Sequence, residues 1–126
     1  MKSNVRIKRI ENALAEIFKS EAESKIYLFL YLSNGVRSSE IAQATGLHPS
    51  TVRELLAKMY REGLIYRKKI KSKQTGKNPY IYYAVSPLKI LKMFARKIEG
   101  KMNSIAKLVE ERDCIKIKVE VEKRIT

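Results

Sequence analysis

One cysteine, one histidine and no long apolar run leave this 126-residue chain short of most enzyme and membrane chemistry. The lone Cys114 excludes an internal disulfide framework and suits a reducing interior, so it reads as a structural thiol. A metal site needs several convergent ligands, and His48 and Cys114 stand far apart. No glycine-rich phosphate loop is present either, because Gly76 stands alone. The most apolar run, Ile26 to Leu32, is far shorter than the roughly 20 residues that cross a bilayer, and no signal peptide is expected. These absences predict a cytoplasmic protein that is not an enzyme, with no cofactor, no metal and no membrane partner.

Acidic residues are also scarce. Against 27 Lys and Arg there are 13 Asp and Glu, which sets the formal net charge at +14 and the sequence pI at about 10.0. Such an excess favours a polyanion, meaning nucleic acid or an anionic membrane surface. The apolar share of 44% is that of a folded protein, and the length fits one domain with an appended oligomerisation element.

The chain is organised around Ser38 to Gly63, SSEIAQATGLHPSTVRELLAKMYREG. A first helix over about Ser39 to Ala44 has Ser38 or Ser39 as its expected cap and Glu40 in its first turn. Thr45 to His48 breaks it, with Gly46 supplying the positive φ of a sharp turn and Leu47 an apolar plug. Pro49 then opens a second helix, about 49–62. On that helix Val52, Leu55, Leu56 and Met59 fall on one face, which must be the core side. Ser50, Arg53, Glu54, Ala57 and Arg61 are left on the other, flanked by Thr51 and Lys58. Hydroxyls near the helix start allow close approach to a duplex, and Arg or Lys reach guanine edges or phosphates. A helix-turn-helix is therefore expected, with His48 as a phosphate contact or helix-start residue. Glu54 either accepts from a cytosine amino group or pairs with Lys58 four residues on, the second being the preferred reading.

Before this motif lie an amphipathic helix within Met1 to Lys19 and an apolar helix opened by Ser20, with Glu23 three residues later. Asn34-Gly35 ends the second, and Val36-Arg37 suits a short strand. After Gly63 the period changes to that of a hairpin, about 64–85, with a polar loop between Lys71 and Asn78. Arg67, Lys68, Lys69, Lys71, Lys73 and Lys77 crowd it with no acidic residue among them. Like charges at this density repel unless an anion neutralises them, and a phosphate backbone is such an anion. Residues 36–85 hold ten basic and three acidic residues, half of the whole excess. Tyr80, Tyr82 and Tyr83 on the return strand read as cross-strand packing rather than as a ligand cleft.

Helix, helix-turn-helix and basic hairpin in this order form a winged helix. SKIYLFLYL, SSEIAQATGLHPSTVRELLAKMYREGLIYRKK and GKNPYIYYAVSP resemble the DNA-binding domains of archaeal TrmB-type and MarR-like transcriptional regulators, over about residues 20–90. The resemblance implies a wing, Arg67 to Lys77, that meets phosphates or the minor groove, and a long dimerising helix from Pro87. Sugar-sensing TrmB-type proteins carry a large effector domain for which this chain has no room, so a sugar-binding role is not expected of it.

Ser86 caps and Pro87 starts that helix, expected to reach about Arg112. Leu91, Ala95, Ile98, Met102, Ile105 and Val109 recur as a heptad seam that Phe94 and Leu108 widen, and Gly100 weakens the helix by about 1 kcal/mol. The tail from Cys114 to Glu122 alternates apolar and charged residues, the mark of a strand. Its candidate mates are the same strand of a second copy, the Val5-Arg6-Ile7 segment, or the wing sheet. In a self-paired dimer Ile117 and Val119 join the interface.

The expectation is an α+β, mainly helical fold: a winged helix-turn-helix over 1–85, then a dimerisation helix and a terminal β-strand over 86–126. The function expected is a homodimeric regulator that binds double-stranded DNA by sequence, through His48, Ser50, Thr51, Arg53, Glu54, Lys58, Arg61 and the basic wing. Two alternatives stand beside it, an architectural protein that coats DNA by charge and shape and a winged helix that binds other proteins. No residue identifies an effector, an operator, or activation against repression.

Overall fold

The computed structural model describes residues 2–70, 80–110 and 114–124. They fall into two compact units, Met1–Val85 and Ser86–Thr126. The first holds α1 (Lys2–Phe18), α2 (Glu21–Leu32), α3 (Ser38–Thr45), α4 (Pro49–Arg61), β1 (Ile65–Lys69) and β2 (Tyr80–Ala84). The second holds α5 (Pro87–Ala106) and an extended tail.

α1 begins at Lys2, so Val5-Arg6-Ile7 is helical and not strand. Its half-buried stripe is Ile7, Glu11, Leu14 and Phe18, at helical spacing, and Phe18 meets Tyr27 edge to face at 5.7 Å. Ser20 caps α2 by accepting from the Glu23 N–H at 3.1 Å. α2 is the central element, with Ile26, Tyr27, Leu28 and Leu30 buried. Its Tyr27 hydroxyl donates to the Val85 carbonyl at 2.7 Å, joining α2 to the end of the wing. Burial pushes the Tyr27 hydroxyl pKa up to about 12, with the neighbouring Tyr31 adding to the rise.

The cap of α3 departs from the expected Ser38 or Ser39. Arg37 holds the cap position, and its backbone N–H donates to the Glu40 carboxylate at 3.1 Å. Gly46 ends the helix at φ +73°, and His48 starts α4 two residues later. Val52, Leu56 and Met59 of α4 are at most 1% exposed, as buried as Ile26 and Ile41, while Leu55 is half-buried.

β1 and β2 pair antiparallel, with Ile65 opposite Ala84 and Lys69 opposite Tyr80. Val36 adds a single isolated bridge to Tyr82, so the short strand expected at Val36-Arg37 is reduced to one bridge beside a two-stranded sheet. Gly35 makes that approach possible. At φ +87° a Cβ there would sit 2.9 Å from Ile81 Cγ2 and from two atoms of the Tyr83 side chain.

In the second unit, Ser86 caps α5 through the Lys89 N–H at 3.2 Å. The helix stops at Ala106 instead of about Arg112, giving 20 residues, or about 30 Å. Val109 therefore lies beyond the helix, in a turn. Residues 114–124 are extended but form no strand among the described residues. Their backbone is satisfied by side chains instead: Asn103 accepts from the Ile117 N–H at 2.8 Å and donates to its carbonyl at 3.0 Å, and Glu99 accepts from the Val119 N–H at 3.1 Å. That substitution is the physical reason the expected terminal strand has no ladder within the chain.

Candidate nucleic-acid interface

The outer face of α4 is built by difference. Burying Val52, Leu56 and Met59 turns Arg53, Glu54, Ala57 and Arg61 to solvent, with Ser50 and Thr51 half-buried at the start. His48 fixes that start. Its Nδ1 accepts from the Ser50 N–H at 3.1 Å and lies 2.7 Å from the Ser50 hydroxyl. With Nδ1 held at the helix start, Nε2 is the ring nitrogen left for a further contact.

Lys58 is committed elsewhere. Its ammonium donates to Glu23 Oε2 at 3.0 Å, and the Glu23 side chain is 3% exposed. The hydrogen bond and charge of Glu23 push the Lys58 pKa above its ordinary value. The expected Glu54–Lys58 pair is thus replaced, and Glu54 makes no ion pair among the described residues. Glu23 is not the capping-box residue that its spacing from Ser20 implied, because its carboxylate turns inward to Lys58.

At the root of the wing Arg67 lies between two rings, 4.1 Å from the centroid of Tyr60 on α4 and 4.1 Å from that of Tyr80 on β2. Two aromatic rings at this distance hold the guanidinium by cation–π attraction at the root of the wing. Lys68 lies 5.3 Å over Tyr83, which itself stacks on Tyr66 at 5.0 Å. Tyr82 is buried, so the tyrosines of β2 supply packing and cation contacts. Lys69 is exposed. Lys71, Lys73 and Lys77 lie outside the described residues.

Sequence reading missed Tyr60, Tyr80 and Glu23 as partners of Arg67 and Lys58. The only available signal was a tyrosine at the end of α4 facing a wing that carries an arginine. Among the described residues no group of three His, Cys, Asp or Glu side chains could hold a metal, and no helix is long and apolar enough to cross a membrane.

On α5 the seam is open: Leu91 is 50% exposed, Ile98 46%, Met102 39% and Ile105 65%. Phe94 and Ala95 are half-buried, as are Ile117 and Val119 of the tail, while Val109 is exposed.

An exposed helix in second place of a helix-turn-helix, followed by a two-stranded basic hairpin, defines a winged-helix transcription regulator. Residues 20–88 match the family described as sugar-specific transcriptional regulator TrmB, and the chain belongs to that family. The family is one of transcription regulators, not of enzymes. No curated protein sequence matches the chain. A possible transcriptional regulator from Methanosarcina mazei Go1 has the same fold, with a TM-score of 0.66 at 14% identity over 79% of this chain and 84% of that one. MepR, a transcription regulator of the Staphylococcus aureus multidrug efflux pump MepA, gives 0.50 at 18% identity over 89% and 82%. A MepR mutant bound to an oligodeoxyribonucleotide gives 0.52 at 18% identity over 88% and 81%. At these identities the likeness is one of fold.

Proposed function

We propose that this regulator binds double-stranded DNA by sequence and does so as a homodimer. The observation that carries the reading is the division of α4, whose apolar side is sealed in the core while Arg53, Ala57 and Arg61 stand in solvent. Ser50, Thr51 and Arg53 lie at the end of the helix that enters a major groove first, where side chains meet base edges. Arg61, Arg67, Lys68 and Lys69 supply backbone contacts, and Lys71, Lys73 and Lys77 add three more basic charges in the sequence that follows. A MepR mutant carries an oligodeoxyribonucleotide on the same fold, which supports this partner.

Dimerisation is supported by α5 and the tail. Leu91, Ile98, Met102 and Ile105 form an apolar stripe open to solvent, which a soluble chain keeps only where something covers it. Two α4 helices held about 34 Å apart read successive major grooves of a palindrome. Measuring the mass of the chain in solution, alone and on a duplex with two half-sites, tests this. Two copies per duplex support the reading, and one copy with no cooperativity contradicts it. Ile98→Glu then reports whether the seam contributes, by a shift toward monomer.

A further inference from the structure

Asn103 and Glu99 do for the tail what a neighbouring strand would do. They stand four residues apart on α5, about 6 Å along the axis, close to the spacing of alternate residues in an extended chain. The tail therefore runs antiparallel to α5 with the backbone groups of Ile117 and the Val119 N–H turned to the helix. Backbone polarity alternates along an extended chain, so the N–H and C=O groups of Lys116, Lys118 and Glu120 face the other way. These groups have no hydrogen-bond partner among the described residues. One edge of the tail is closed by its own helix and the other is open.

We infer that the open edge pairs with the same edge of a second copy, antiparallel, about a two-fold axis at Val119. This deepens the homodimer reading and rests on it. Charge selects the register. With Val119 opposite Val119 of the other copy, Lys118 faces Glu120 and Lys116 faces Glu122, each pair of opposite sign. Slipping by two residues one way sets Lys118 against Lys118, and the other way Glu120 against Glu120. The residues whose edge groups are open are also those that this register places in hydrogen-bonded pairs, while Val119 falls in the non-bonded position that its bond to Glu99 requires. On the other face Ile117 meets Val121, continuing the apolar alternation. Because α5 already closes the inner edge, pairing ends at two copies and cannot propagate as an open edge would.

The test uses the full chain. In a Cys114→Ser background, Val119→Cys brings two thiols across the axis within disulfide reach, whereas Val121→Cys places them several residues apart. Mild oxidation is expected to convert Val119→Cys, and not Val121→Cys, to a covalent dimer. Lys118→Glu and Glu120→Lys are each expected to raise the dimer Kd about tenfold or more, because each sets like charges across the axis twice. Mixed together they are expected to form a heterodimer of native strength, a rescue that the Lys118–Glu120 pair seen within one chain at 2.8 Å cannot produce. A wild-type dimer that Ile98→Glu dissolves, while the charge variants and the thiols leave it unmoved, overturns the strand pairing and keeps the dimer. A chain that stays monomeric at all concentrations overturns both. A wild-type mass in solution above that of two copies overturns the closed register.

Discussion

Lys58 of α4 reaches 35 residues back in sequence to bond the buried carboxylate of Glu23 at 3.0 Å. The bond ties α4 to the central helix α2, so it bears on the angle at which α4 presents Arg53 and Arg61. Lys58→Met leaves the Glu23 carboxylate buried without its cation, whereas Glu23→Gln keeps a polar group of the same shape and leaves Lys58 half exposed to water. Thermal unfolding should therefore fall further for Lys58→Met than for Glu23→Gln. Glu23 raises the Lys58 pKa above 10.5, so the contribution of the pair from this group is complete below 10.5 and fades only as pH climbs past it. A stability gap between wild type and Lys58→Met that closed already between pH 8 and 10 would contradict this, taking lysine's ordinary range as about 10.4.

Tyr27 sets a second alkaline limit. Its hydroxyl titrates at 10.0 when unfolded and at about 12 when folded, so folding holds the proton more tightly. The sign follows: this contribution is whole below pH 10.0 and lost as pH rises toward about 12. Tyr27→Phe should cost about 1 kcal/mol at neutral pH through the lost bond to Val85. It should also flatten the fall in melting temperature across that alkaline window. An equally steep fall in the variant would place the titration elsewhere.

Gly35→Ala forces a side chain onto Ile81 and Tyr83 at a backbone φ of +87°. The expected loss is about 1–3 kcal/mol in denaturant unfolding, from strain and overpacking together. The damage should centre on the Val36–Tyr82 bridge and the wing, read as faster amide exchange at Tyr82, whose N–H bonds the Val36 carbonyl at 2.8 Å. Unchanged protection there would mean the turn has another way to close.

Arg67→Lys keeps the charge and loses the guanidinium that lies 4.1 Å from the ring centroids of both Tyr60 and Tyr80. It should lower stability by about 1 kcal/mol and weaken DNA binding on all sequences alike. Tyr60→Leu should reproduce part of the loss without changing any charge. If Arg67→Lys binds DNA as wild type does, the contact with the rings serves only the hairpin.

What could be read from residue order alone follows from how far apart the partners lie. Pro49 and Ser86 announce helix starts because caps are local, and the apolar spacing of Val52, Leu56 and Met59 settles which side of α4 is open. The partner of Lys58 was hidden, since Glu23 three residues after Ser20 has the pattern of a cap and nothing nearby marks it as buried. Arg67 was read as one more wing cation because its rings come from different elements. The tail shows the limit most plainly. Alternation from Ile115 to Glu122 dictates an extended chain, but not what bonds its backbone. Asn103 and Glu99 are polar helix residues with no mark that distinguishes them from their neighbours.

Specific readout and phosphate grip separate by which substitution changes what. Arg53→Ala should relax preference at one or two base positions and cost about 1–3 kcal/mol on the preferred site. Lys69→Ala should weaken binding equally on every duplex and lower the salt slope by about 1. Identical effects of both on every sequence would show that α4 does not read bases.

The most direct measurement is a titration of the full chain on its own promoter region and on a random duplex of equal length, repeated across salt. A sequence-reading dimer should prefer the promoter by about a thousandfold or more, with two protected half-sites about one helical turn apart. Equal binding to both duplexes, lost together as salt rises, would contradict it and make this chain a coat for DNA instead of a reader.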